Sequence, residues 1–398
     1  MNDDLRRVVA ARANQIILFL LAVIALLMIW LISHLLSPSA TASVSSPLIS
    51  FLSQDENRSF AKVQPGYQLK FPDDHGGHPE FRQEWWYFTG NLQNQSGRDF
   101  GFQLTFFRFA GSKFDQLGEN PWNSGQTWMA HFALTDIQAN QFYAIDDFTR
   151  DAGALAGAEA FPFSVWVNSW SVRQSKLACA ECFDAILKAS TENFSVSLAV
   201  KSDQPPLLHG DYGYSVKNHD GSIASYYYSY PDLQTQGSIE INGSTYQVTG
   251  KTWMDREWSS TVLGEDQLGW DWFALHFDDG REMMLFQVRA RTGEPYRTGV
   301  LINTDGSSSQ FSGEMLSMSP GKFWRSRETG NRYPVEWLIS GDSTDSKLRL
   351  VIKAAVRDQE LNLGFSYYEG ATVFSGNFNG QSVSGNGYME LTGYDEKP

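Results

Sequence analysis

Beyond residue 62 the chain is written in short apolar and aromatic runs of six to ten residues, and no helical period lasts three turns. The runs at 100–109, 129–137, 195–200 and 283–290 are rich in aromatic or β-branched side chains and are bounded by Gly, Asn, Asp or Ser. Ser96-Gly97, Asp220-Gly221, Asn242-Gly243, Asp279-Gly280 and Asp305-Gly306 supply the turn chemistry that tight hairpins require. The pattern predicts an antiparallel all-β chain, in which only 184–191 admits a short helix. A length of 398 residues exceeds one domain of roughly 150 residues, so two units are expected. A Tyr-rich segment ends and a fresh series of hairpins begins near 231–237, which places the units at 63–233 and 237–398. The 27 Phe, 16 Tyr and 13 Trp sit mostly in these runs, where large rings fit strands, barrel interiors or cavity walls.

Residues 16–36 depart from that pattern. They are apolar all round, carry only His34 as an ionisable group, and are long enough to cross about 30 Å of hydrocarbon as one helix. Arg6, Arg7 and Arg12 precede the segment and no Lys or Arg follows until Arg58, so residues 1–15 should stay in the cytoplasm and the body should be exported. The expected state is a single-pass inner-membrane protein with its C-terminal body in the periplasm, tethered by the Ser-, Pro- and Ala-rich residues 37–62. Ala40-Thr41-Ala42 also offers a small-x-small cleavage pattern, which makes a cleaved, soluble periplasmic body the alternative. The apolar run exceeds the roughly 7–15 residues of a signal peptide, which favours the uncleaved anchor.

The formal charge is −14, of which Asp3, Asp4, Arg6, Arg7 and Arg12 contribute +1, so the remainder carries −15. Such a surface repels a phosphate backbone, and nucleic acid is excluded as a partner. Seven scattered His with no His-Glu-x-x-His, and a single Cys-x-x-Cys, give no metal-ligand set, so neither metal nor cofactor is expected. Cys179 and Cys182 read instead as a local disulfide across a turn in an oxidising compartment. A nucleophile elbow of the Gly-x-Ser-x-Gly type is absent, and Gly-x-Gly occurs only at Gly385-Asn386-Gly387 with no helix following.

Four clusters combine rings with ionisable groups. In the first, alternation sets Glu84, Trp86 and Phe88 on one face and Trp85 and Tyr87 on the other. The second runs from His209 to Lys217 through Asp211, Tyr212 and Tyr214, then to Tyr226, Tyr227 and Tyr228. The third holds Trp253, Asp255 and Glu257 on one face, Met254, Arg256 and Trp258 on the other, then Trp270, Asp271, Trp272 and His276. The fourth joins Tyr367, Tyr368 and Glu369 to Tyr388, Glu390 and Tyr394. Two carboxylates sharing a face with an indole admit two readings. Lining a closed apolar cavity, one of them would hold its proton and act as an acid. Alternatively Arg256 caps a barrel mouth and the acids satisfy backbone donors. His131 and His276, in apolar runs, read as core histidines, whereas His209 lies in a loop beside Gly and Asp.

At these clusters the sequence resembles the AttH/CrtC-like lipocalin proteins, which include carotenoid 1,2-hydratases and exported proteins described as hydrolases. The matching text is EWWYFTGNL, LHGDYGYSVK with ASYYYSYP, GKTWMDREWSS with GWDWFALHFDDG, and the closing YYEGATVFSGNFNGQSVSGNGYMELTGY. The resemblance spans about 65–394 and implies two lipocalin-like antiparallel β-barrels in tandem around an apolar ligand cavity. Hydratase members are understood to protonate an isoprenoid double bond and add water to the resulting cation, a role an Asp fits. Carried onto this chain, the resemblance offers Asp255, Glu257 and Arg256 as catalytic candidates. For ligand binding it offers Trp253, Trp258, Glu84, Trp86, His209, Tyr214, Tyr228 and Asp271. The anchor matches the exported branch more closely than the carotenoid hydratases. The expected function is a membrane-anchored periplasmic protein that binds a lipid or isoprenoid-like ligand, with hydratase or hydrolase chemistry. The alternative is a non-catalytic lipid carrier or chaperone-like accessory of a membrane exporter.

Overall fold

The computed structural model describes residues 60–110, 125–150, 152–176, 179, 181–343 and 346–394. The expected cytoplasmic segment, the membrane span at 16–36 and all of the tether but its last three residues lie outside the described residues. Among the described residues no helix is long and apolar enough to cross a membrane.

The described chain is all-β. The first sheet contains β1 (Gln83–Asn94), β2 (Asp99–Ala110), β3 (Gln126–Asp136), β4 (Gln141–Arg150), β5 (Ala156–Ala160), β6 (Phe163–Val167), β7 (Trp170–Gln174), β8 (Phe183–Ser190) and β9 (Phe194–Ser202). It also takes in β10 (Leu207–Leu208), β11 (Tyr214–Val216), β12 (Ala224–Ile241) and β13 (Ser244–Ser259). The second sheet holds β14 (Gln267–Phe277), β15 (Glu282–Ala290), β16 (Tyr296–Ile302), β17 (Ser308–Ser312) and β18 (Leu316–Pro320). After a separate small hairpin of β19 (Phe323–Arg325) and β20 (Arg332–Pro334) it continues with β21 (Glu336–Asp342), β22 (Lys347–Ala354), β23 (Glu360–Asn362), β24 (Ser366–Phe378) and β25 (Gln381–Leu391). Every pairing is antiparallel, and each sheet curls into a nearly closed barrel.

Turn chemistry fixes the hairpins as the sequence predicts. At the β12–β13 corner Asn242 and Gly243 take φ 50° and 78°, both left-handed as a two-residue hairpin turn demands. Two expectations change. Segment 184–191 lies largely in β8, because Phe183, Ala185, Leu187 and Ala189 alternate inward while Asp184, Ile186, Lys188 and Ser190 face out. Residues 231–237 lie inside β12, where a bulge between Tyr230 and Leu233 shifts the register without ending the strand. Since β12 and β13 pair with β9 and β1, the passage between sheets falls at 260–266.

Each barrel is filled by its own side chains. Trp86, Phe88, Phe102, Leu104, Phe132 and Leu198 pack inside the first; Phe273, Leu285, Trp337, Leu350 and Met389 pack inside the second. A third apolar cluster, including Tyr87, Tyr227, Trp253, Trp272, Phe286 and Tyr388, joins outward faces of the two barrels. Burial accounts for the aromatic surplus. Strands β1, β3, β14 and β15 are buried on both faces over most of their length, as is the second half of β13, whereas β8 and β9 alternate between core and solvent.

Candidate functional site

A cavity of about 70 Å³ lies between the barrels, not inside either one, large enough by that measure for several water-sized molecules. From the first barrel it is lined by Trp85 and Tyr87 of β1, Phe107 and Phe109 of β2, Lys217, Tyr227 of β12, and Asp255 and Glu257 of β13. The second supplies Trp270 and Trp272 of β14, Phe286 and Val288 of β15, Tyr367 of β24 and Glu390 of β25. Residues two apart on one strand reach the cavity together because strand side chains alternate.

Asp255 is buried under a complete set of donors. The Tyr227 hydroxyl donates to Oδ2 at 2.7 Å, the Trp253 indole donates to Oδ1 at 2.6 Å, and the Ser229 hydroxyl also bonds Oδ1. Behind them His209 Nε2 meets Ser229 Oγ at 2.6 Å and its ring stacks on Tyr227 at 3.9 Å. Burial raises the Asp255 carboxyl and the Glu257 charge adds to it, while the three hydrogen bonds oppose the shift, leaving a pKa of about 7. Burial, together with the nearby Lys217 charge, holds His209 well below its usual value, so its imidazole is neutral. Glu257 pairs with Lys217 at 3.0 Å, and the Lys217 ammonium lies over the rings of Tyr227 and Phe286 at 4.7 and 4.6 Å.

The opposite face of β13 builds a different structure. Arg256 is fully buried and ion-paired with Glu84, which also pairs with Arg108. Its guanidinium lies over Trp86 at 3.9 Å and Trp258 at 4.8 Å, and His78 stacks on Trp258 at 4.1 Å. Burial alone would raise the Glu84 carboxyl; Arg108 and Arg256 hold it well below the usual carboxylate range instead.

Of the residues singled out in the sequence, Asp255 and Glu257 therefore line the cavity, and Trp253 and His209 support Asp255. Arg256, Glu84, Trp86 and Trp258 do not reach it, because alternation turns them into the first barrel. Tyr228 also points inward, with its hydroxyl 2.6 Å from His75 Nδ1. Tyr214 packs against the same core. Asp271 faces the second barrel, accepting from Gln287 at 2.7 Å and Tyr394 at 2.8 Å and pairing with Arg289. Sequence reasoning assigned no role to Trp85, Tyr87, Lys217, Tyr227, Ser229, Glu369 or Glu390. The faces of the clusters carried a signal for two of them: the cavity takes the Trp85 and Tyr87 face of β1, as it takes the Asp255 and Glu257 face of β13. Cys179 and Cys182 are disulfide-bonded to each other. Among the described residues no group of three or more His, Cys, Asp or Glu is placed to hold a metal ion.

A family model described as AttH-like matches residues 62–394. A solved AttH protein from Nitrosomonas europaea is 34% identical, with a TM-score of 0.72, over 84% of this chain and 100% of its own. Kievitone hydratase from Nectria haematococca, 14% identical with a TM-score of 0.64, aligns over 86% of this chain and 98% of its own. CghA, solved with Sch210972, is 13% identical with a TM-score of 0.56 over 87% of this chain and 97% of its own. At these last two identities the likeness is one of fold. Among curated proteins nothing matches.

Proposed function

The chain belongs to the AttH-like family, and from that premise we propose that it binds an apolar, lipid- or isoprenoid-like ligand between its barrels and protonates it from Asp255. The observation that carries the reading is Asp255 itself, a buried carboxyl with a pKa of about 7 on the wall of an aromatic cavity. A neutral carboxyl in a low-dielectric site is the group that proton transfer to an unactivated alkene needs. The balanced step is addition of water. The Asp255 proton bonds to one alkene carbon and the π electrons leave a cation on the other. Water oxygen bonds to that cation, and the proton it sheds returns to the Asp255 carboxylate. Trp85, Trp270 and Trp272 line the cavity and can stabilise the cation through their ring faces. The reaction in the name of kievitone hydratase is of this class.

One observation favours a second reading. Both Asp255 oxygens already accept hydrogen bonds, as a structural carboxylate's would, so the cavity also suits a carrier without chemistry or an accessory of a membrane exporter. The deciding experiment incubates the full chain with a lipid extract and follows products by mass spectrometry. Asp255→Asn should lower turnover roughly 10²–10⁴-fold with ligand uptake retained, whereas Glu257→Gln is the same-face control. Uptake without any product in the wild type would establish the carrier. The proposal extends to location: residues 16–36 hold the body outside the inner membrane or are cleaved to release it there. The charge asymmetry around that segment and the Cys179–Cys182 disulfide both suit an oxidising compartment.

A further inference from the structure

Much of the hydrogen-bonding capacity of the cavity wall is spent within the protein. Asp255 accepts three bonds. Lys217 is engaged by Glu257 and by two ring faces. The Tyr227 hydroxyl serves Asp255 and receives the Trp272 indole at 3.2 Å. The Tyr87 hydroxyl donates to Glu369 at 2.8 Å, and the Tyr367 hydroxyl lies 2.6 Å from His131 Nδ1. Glu390 is different. It keeps part of its surface on the cavity, and the side chain that bonds it is the Trp270 indole, a donor that leaves carboxyl capacity over.

Behind Glu390 stands Glu369, its direct partner across the β24–β25 ladder, so the two side chains leave one face roughly 4.5–5.5 Å apart at Cβ. Two carboxyls side by side in an apolar seam cannot both ionise. Burial first, then the charges of Asp255 and Glu257, push Glu390 up to about 8. Burial and Glu390 hold Glu369 well above the usual range. At neutral pH Glu390 therefore presents an O–H donor rather than a negative charge.

We propose that Glu390 is the specificity-determining residue of the cavity, donating a hydrogen bond to an oxygen on the ligand, so that the favoured ligand is a neutral apolar molecule bearing a carbonyl or hydroxyl. The inference rests on the cavity being the ligand site, as proposed above, and adds which apolar ligands it prefers.

The test uses four retinoids of matched carbon skeleton: retinal, retinol, retinoic acid and the oxygen-free hydrocarbon axerophthene. Each is titrated into the full chain in detergent, with Trp quenching as the readout. At pH 7 retinal and retinol should bind roughly five- to tenfold more tightly than axerophthene, the worth of one hydrogen bond, and retinoic acid should bind more weakly than either. Glu390→Gln, which still donates, should keep the preference, whereas Glu390→Leu should abolish it while axerophthene binding stays. Raising the pH above about 8 should erode the preference in the wild type and leave it unchanged in Glu390→Gln. Equal binding of retinal and axerophthene to the wild type, a preference that survives Glu390→Leu, or no binding of any of the four would overturn the proposal. Failure of the catalytic reading is separate: a wild type that discriminates by oxygen yet converts nothing keeps Glu390 and discards Asp255 as an acid.

Discussion

At the scale of single residues, β13 carries two opposite electrostatic solutions one position apart. Asp255 is a carboxyl kept close to neutrality by burial, and Arg256 is a buried cation ion-paired with Glu84. The pH dependence of the first has a definite sign. Folded Asp255 keeps its proton to about pH 7, against an ordinary value of 3.8, so between about pH 4 and 7 the folded chain holds a proton that the unfolded chain has released. Stability should fall as pH rises through that window. Thermal melts at pH 5 and pH 8 should show wild type losing ground to Asp255→Asn at the higher pH; parallel curves would remove the protonated acid. Turnover should likewise fall about tenfold per pH unit above pH 7, as the donor form empties. Arg256→Met makes the contrasting case. It leaves the Glu84 carboxylate inside the barrel with Arg108 and His78 as its remaining partners, and should cost about 3–5 kcal/mol in denaturant unfolding.

At the scale of elements, the alternation of aromatic residues made the strands legible, together with which residues share a face. Trp253, Asp255 and Glu257 emerge together, as their spacing requires. What alternation leaves open is which of two faces meets a cavity when both are buried. Glu84 and Trp86 looked as good as Trp85 and Tyr87, because an apolar barrel interior and an apolar seam between barrels write the same residues. The bulge at 230–233 hid the continuity of β12 for a related reason, since Pro231 and Gly237 are ordinary signs of a strand's end. Segment 184–191 lacked the length to separate a helix from a strand by period. The seam itself is testable at Gly101 of β2. A Cβ there would lie 2.5 Å from the Ala371 Cβ of β24, an atom fixed to the backbone. Gly101→Val should therefore destabilise the fold by about 1–3 kcal/mol and weaken retinoid uptake by shifting the barrels. Unchanged melting and uptake would show that the seam is not close-packed at Gly101.

At the scale of the whole molecule, the described body begins at residue 60 with a segment tied down by Ala61, whose amide bonds the Glu80 carbonyl, and by Gln64, whose backbone exchanges two bonds with the Tyr226 hydroxyl. A chain starting at Ser59 should therefore fold and stay soluble without lipid; insolubility would argue against two self-contained barrels. A reporter fused after Pro398 should work only when exported. Activity of a cytoplasm-dependent reporter at that position would invert the proposed topology.

The separation of the filled barrel cores from the cavity in the seam between them has an evolutionary consequence. The inward residues of each strand fill the barrel cores, whereas outward residues of the same strands build the wall of the cavity between them. Under the proposed ligand site, substitutions at wall positions such as Phe107 or Glu390 change what is accepted and leave the inward cores intact, whereas Trp85 and Phe286 also pack in the cluster that joins the barrels. A lineage built this way can hold one scaffold constant while its members drift to unrelated ligands, and divergence among relatives should concentrate in the seam rather than in the cores.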